Sequence, residues 1–221
     1  MIEFCEKQIG VESISLKYIV TAPTDFDKQE ESLPMIVFLH GAGERGDDLE
    51  KLKIYCIPKI FTNNPDTERV ITLSPLCHSE KTWYDHKWQV IKLIDEIAEE
   101  YNVNKNKITL CGISMGGFGT WEIALSVPEK FAAIAPICGG GMSWRAWYLR
   151  NMPIRVYHGG RDDVVPVQYS ELMVNAIKAQ GNKNIEFTVY EDLYHPCWDR
   201  AFEKTDLIKW LATSEKDGGL E

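Results

Sequence analysis

The chain has 221 residues, 44% hydrophobic and 26% charged, with a formal net charge of −9. A chain of this length buries about 70% of its unfolded surface and needs neither disulfide nor metal to hold it. Its acidic surface repels phosphate backbones and anionic lipid heads, which tells against nucleic acid and membrane partners.

The first residues, Met1-Ile2-Glu3-Phe4-Cys5-Glu6-Lys7, lack the basic and then apolar order of a secretion signal. No apolar run approaches the roughly 20 residues of a membrane span. None of Cys5, Cys56, Cys77, Cys111, Cys138 and Cys197 forms a Cys-x-x-Cys pair. The expectation is a cytoplasmic protein with reduced, buried thiols. One domain over residues 1–215 is expected, with 216–221 set aside as a tail.

Apolar runs predict strands over 14–22, 35–39 and 70–73, the first two separated by polar residues 25–32. The spacing of Val90, Ile91, Leu93, Ile94, Ile97 and Ala98 predicts a helix over 88–101. A strand over 108–111, a helix over 115–126 and strands over 132–138 and 154–158 follow. A helix over 170–179 ends at Gly181, a strand covers 185–190, and a closing helix covers 200–211. Trp88, Trp121 and Trp210 fall at helical spacing and are expected in the core. Apolar strands alternating with helices imply a mostly parallel sheet covered on both faces, with ligands beyond the carboxyl ends of the strands.

Gly112-Ile113-Ser114-Met115-Gly116 joins a predicted strand to a predicted helix. On so sharp a turn the serine backbone is strained and its hydroxyl stands above the sheet. The flanking residues must be small because strand and helix nearly collide. A serine hydroxyl needs a general base, and in this arrangement the chain order is serine, acid, histidine. Of His40, His78, His86, His158 and His195, only the last two follow Ser114. His195 sits in a loop after the last strand, whereas His158 ends a strand before Gly159-Gly160 and reads as shaping a turn. The acid lies between, at Asp162 or Asp163. Glu191 and Asp192 are too close to His195 in sequence.

His40-Gly41-Ala42-Gly43-Glu44-Arg45-Gly46 follows another strand. Its backbone N–H groups suit an oxyanion hole, with one donor from Ala42 or Gly43 and the other from Met115. The same loop is formally a Gly-x-Gly-x-x-Gly dinucleotide fingerprint. Glu44 would face the pyrophosphate, Asp47, Asp48 and Glu50 follow, and no strand ends in an acidic residue about 20 positions on. The nucleotide reading therefore falls.

With these segments, the chain resembles the α/β-hydrolase superfamily, and within it the compact serine esterases grouped with dienelactone-hydrolase-like proteins, feruloyl and polyhydroxybutyrate esterases and predicted peptidases. The matching segments are residues 40–46, Ser74-Pro75 with Trp83, 112–121, 131–140, 158–162, Val165-Pro166, and His195 with Trp198. Serine stands where true dienelactone hydrolases carry cysteine, so their reaction does not transfer. The resemblance implies an α/β-hydrolase fold with a minimal cap, no cofactor and no metal. It places the acid three residues after the glycine of His158-Gly159, at Asp162, and leaves Asp163 to face solvent or cap a helix near Pro166. It implies a small-molecule ester substrate and leaves the oligomeric state open. Trp83, Trp144 and Trp147 are candidates to line a substrate pocket; Trp144 to Tyr148 would otherwise pack a short helix onto the body. The function expected is a serine carboxylesterase. A peptidase using the same triad and a non-catalytic ligand-binding relative are the alternatives.

Overall fold

The computed structural model describes residues 2–7 and 16–216. Positions 14 and 15 of the first predicted strand, and 217–221 of the expected tail, lie outside the described residues. In chain order the elements are β1 (Ile2–Lys7), β2 (Leu16–Thr21), β3 (Met35–Leu39), α1 (Cys56–Asn63), β4 (Ile71–Pro75), α2 (Lys87–Glu100), β5 (Ile108–Ile113), α3 (Met115–Ser126), β6 (Ala133–Ile137), β7 (Ile154–Gly159), α4 (Gln168–Ala179), β8 (Ile185–Tyr190), α5 (Trp198–Glu203) and α6 (Leu207–Thr213).

The strands form one eight-stranded sheet in the order β1-β2-β4-β3-β5-β6-β7-β8. β1 and β2 run antiparallel at one edge, and β3 to β8 are parallel. The alternation of side chains along each strand divides the core in two. On β3, Met35, Val37 and Leu39 face the layer that holds α2, α3 and α4. Ile36 and Phe38 face the opposite layer, with α1, α5 and α6. The sheet is thus covered on both faces, and its fold is that of an α/β-hydrolase.

Helix α3 departs from the usual amphipathic pattern because it is buried nearly all round, from Gly116 to Leu125. It carries Trp121, which is fully buried. Trp88 does not follow the core expectation: it is 63% exposed, with the Lys87 ammonium 5.1 Å over its ring. It stands outside the stripe of Val90, Ile91, Leu93, Ile94, Ile97 and Ala98 that α2 turns inward. Trp210 is partly buried at the edge of the second core layer, with the Arg155 guanidinium 4.7 Å over its ring.

The single closing helix expected over 200–211 is two short ones. Thr205 is the cause: its hydroxyl donates to Ala201 O and accepts from Leu207 N–H, so a side chain replaces the backbone ladder at the break. β1 and α1 carry no expectation from the sequence reading.

Candidate active site

The strand order sets the site. β5, β6, β7 and β8 are neighbours, and their carboxyl ends lie along one edge. Ser114 follows β5, Asp162 follows β7 and His195 follows β8.

Ser114 has φ 53° and ψ −117°, a left-handed conformation that L residues rarely adopt. Its neighbours explain why it is held there. Ser114 N–H donates to Ile137 O of β6 at 2.9 Å. A Cβ on Gly112 would come within 2.4 Å of Gly116 O, and one on Gly116 within 1.9 Å of Leu39 O. Strand β5, helix α3 and the end of β3 therefore touch backbone to backbone, which only glycine permits. The turn lifts the serine hydroxyl to the sheet's carboxyl edge.

His195 Nδ1 lies 2.7 Å from Asp162 Oδ2, and its Nε2 lies 2.9 Å from Ser114 Oγ. The carboxylate can only accept, so Nδ1 carries the proton and Nε2 is left to accept from the serine hydroxyl. Two packing facts bring the acid and histidine loops together. Arg161 N–H donates to Leu193 O, and the loop at Tyr194 crosses so close to Gly159 that a Cβ there would meet Tyr194 O at 2.2 Å. The Trp198 and His195 rings pack edge to face, with centroids 5.5 Å apart.

The Asp162 side chain is fully buried. Oδ1 accepts from Val164 N–H at 2.9 Å and Val165 N–H at 2.8 Å. Its neighbour Asp163 is exposed. The residue at the start of α4 is Val167, which receives no side-chain cap, so the capping role weighed for Asp163 is absent and the solvent-facing one holds.

His158 does more than shape a turn. Its ring is buried, with Nδ1 2.7 Å from Ser170 Oγ and Nε2 2.8 Å from Val165 O. Nε2 also lies 3.1 Å from Asp162 Oδ2. Burial holds its pKa below the usual histidine value. Sequence reasoning missed this contact; the signal was the four-residue spacing of His158 and Asp162 within one strand-end segment.

The glycine loop after β3 lies beside the serine. Gly41 approaches closely enough that a Cβ on it would stand 3.6 Å from Ser114 Cβ. Ala42–Glu44 then form one three-ten turn. His40 anchors the loop from below. Its Nδ1–H donates to Gly41 O at 2.6 Å, and Nε2 accepts from Cys77 N–H at 2.9 Å. Burial depresses its pKa to about 4, so the ring is neutral. Glu44 lies within the loop, and burial raises its pKa.

The tryptophan candidates divide. Trp83 is wholly buried; its indole N–H donates to His40 O at 3.0 Å, and the ring fills the space opened by Gly119. It supports the loop and lines no accessible pocket. Trp144 and Trp147 lie in a three-ten segment, Ser143–Leu149, that buries Ala146 and Leu149 and turns the indoles outward. Trp144 is 77% exposed, and Trp147 stacks on Tyr148 at 3.9 Å. The pocket that includes Ser114 is lined by Thr82, Tyr84, Met115, Phe118 and Val165, without either tryptophan, and has a volume of about 310 Å³. Its walls are almost entirely apolar, apart from the serine hydroxyl and Thr82.

Five of the cysteines, Cys56, Cys77, Cys111, Cys138 and Cys197, are free and buried. Among the described residues, the ligand-type atoms of Cys138, Asp162 and His195 lie within 4.8 Å of one another. Asp162 and His195 are already hydrogen-bonded to each other. Cys77 and His78 belong to no such group. Among the described residues, no helix is long and apolar enough to cross a membrane.

A parallel sheet, a strained serine at a strand-to-helix turn and a histidine and carboxylate at later strand ends define the α/β-hydrolase class. Residues 71–214 match the phospholipase/carboxylesterase family, and the chain belongs to it. A thermostable esterase of known structure superposes over 97% of this chain and 63% of its own, with 30% identity and a TM-score of 0.83. A bifunctional acetylxylan esterase/xylanase of Neocallimastix patriciarum is 36% identical over 87 residues, which is 39% of this chain and 13% of that protein. This chain thus spans only part of either relative. A feruloyl esterase module from Clostridium thermocellum, complexed with sinapinate, shares the fold at 15% identity and a TM-score of 0.76, over all of this chain and 91% of the module.

Proposed function

We propose that this protein is a serine carboxylesterase that hydrolyses small-acyl, aryl or carbohydrate-linked esters through an acyl-enzyme on Ser114. The observation that carries this reading is the hydrogen-bonded line from Ser114 Oγ through His195 to Asp162, set at the wall of an apolar pocket.

Ser114 Oγ attacks the ester carbonyl carbon while its proton passes to His195 Nε2. Asp162 holds the ring in the Nδ1–H tautomer and stabilises the imidazolium that forms. The N–H of Met115, at the start of α3, faces no intrahelical acceptor and receives the developing oxyanion with the help of the helix dipole. The second donor comes from Ala42 or Gly43. The close approach of Gly41 to Ser114 favours its immediate neighbour Ala42. His195 then returns the proton to the leaving alcohol. Water, deprotonated by the same nitrogen, attacks the acyl carbon and releases the acid.

Tyr84, Met115, Phe118 and Val165 offer apolar surface to an acyl chain or aryl ring. The carbohydrate-linked part of the proposal is supported by the acetylxylan esterase relative.

Ser114→Ala tests the reading. It is expected to keep the fold and lose at least about 10³ of kcat on an aryl ester. A fluorophosphonate probe is expected to label Ser114 in the wild type and nothing in the variant. Near wild-type activity in the alanine variant would overturn the proposal. Aryl esters graded by acyl length, assayed beside acetylated and feruloylated sugars, would define the substrate.

A further inference from the structure

Asp162 Oδ2 stands between two imidazoles. His195 Nδ1 lies 2.7 Å away and His158 Nε2 lies 3.1 Å away. With Oδ1 occupied by Val164 and Val165 N–H, the carboxylate has four donors within reach. That fills the lone-pair sites an ionised carboxylate offers.

The proton on His158 follows from its neighbours. Nε2 faces only acceptors, Val165 O and Asp162 Oδ2, so it must carry a hydrogen. Nδ1 faces Ser170 Oγ, which also lies 2.8 Å from Gly139 O. The hydroxyl donates to Gly139 O, so it links the His158 ring to the end of β6.

We infer that His158 is a positioning residue for the triad: its Nε2–H shares Asp162 Oδ2 with His195 and ties the acid to Val165 O and, through Ser170, to α4. The inference rests on the triad reading proposed above. Two consequences follow from sharing one oxygen. The acid loop is braced from inside the sheet, independently of the His195 loop. The carboxylate also divides its charge between two donors, so His195 feels less of it than an unshared aspartate would supply. The ionisable groups set against His158 are Asp162 and His195. Those set against His195 are Asp162, His158 across the shared oxygen, and the buried thiol of Cys138, itself beside Cys197.

A ¹⁵N-histidine spectrum of the unmodified protein tests the proton assignment. At neutral pH, His158 is expected to hold its proton on Nε2. A neutral Nδ1–H tautomer would overturn the inference, because such a ring cannot donate to Asp162. Kinetics on an aryl ester tests the consequence. His158→Leu removes the donor and is expected to lower kcat by about 10- to 100-fold with KM within about threefold. The acidic limb of its kcat profile is expected to rise by about half a pH unit, because Asp162 then acts on His195 alone. His158→Gln, whose amide N–H reaches the same place, is expected to restore both. A merely structural role would leave the limb in place. A wild-type kcat and an unmoved limb in a folded His158→Leu would overturn the inference while leaving the triad reading intact, provided Ser114→Ala remains inactive. If His158→Leu does not fold, the spectrum of the unmodified protein decides alone.

Discussion

Asp162 and Asp163 are adjacent in the chain and opposite in environment. The side chain of one is fully buried beneath His195, and the other faces solvent. Successive residues at a strand end point in different directions, so one step along the backbone separates a buried carboxylate bonded to His195 from a surface charge. Asp162→Asn keeps the shape of the side chain but offers His195 the wrong partner. It is expected to cost about 10⁴ in kcat, by analogy with the serine-protease aspartate. Asp163→Asn is expected to change kcat less than twofold and stability by less than about 0.5 kcal/mol, since it caps no helix. Kinetics and urea denaturation of both variants check this. A large rate loss in the second variant, with none in the first, would reassign the acid.

Gly116 and Gly43 predict opposite results for the same substitution. A methyl group on Gly116 would enter the Leu39 carbonyl, whereas one on Gly43 would meet nothing within 4 Å. Gly116→Ala is expected to destabilise by about 3 kcal/mol or more, or to prevent folding. Gly43→Ala is expected to fall within about 1 kcal/mol of wild type. Thermal denaturation distinguishes them, and a stable Gly116→Ala would contradict the close packing of α3 on β3.

Stability is expected to fall on mild acidification, in part through His40. Its pKa is near 4 when folded, against 6.5 for an ordinary histidine. Between these values the unfolded chain binds more protons, so acid favours unfolding. The contribution is complete above pH 6.5 and is lost as pH falls through 4, and it amounts to up to about 3 kcal/mol. Protonating Nε2 would also remove the acceptor for Cys77 N–H. His86, similarly depressed to about 4 by burial, adds with the same sign. Urea unfolding at pH 7 and about pH 4.5 should show the loss, and His40→Gln should make it smaller. An equal pH dependence in the two proteins would exclude His40 as a source.

Chelation is expected to leave the rate unchanged. Asp162 Oδ1 accepts from two backbone N–H groups, and the two His195 nitrogens are engaged by Asp162 and Ser114. Prolonged dialysis against a chelator, followed by assay, checks this. Loss of activity, with recovery on adding zinc, would mark a metal-dependent hydrolase instead.

What the sequence by itself determined was local. β3 and α3 occupy the spans their patterns predict, 35–39 and 115–126. An unbroken apolar run and a Gly-x-Ser-x-Gly turn carry their own conformational preferences. The place of Ser114 at the end of β5 was legible for the same reason. Tertiary structure decided what depends on which surface meets another. Trp83 lies outside any helical pattern, yet it is buried because Gly119 on α3 leaves room for its ring. Trp88 has helical spacing, yet it is exposed because the stripe that α2 turns to the sheet lies on another side. Thr205 breaks the last helix through two hydrogen bonds that periodicity does not register. Ser114 and His195 lie 81 residues apart in sequence, and His195 and Asp162 lie 33 apart. Their meeting rests on the order β5-β6-β7-β8 and on the loop at Tyr194 crossing Gly159. Strand order is a global result of packing both faces of the sheet at once, and no window of sequence contains it.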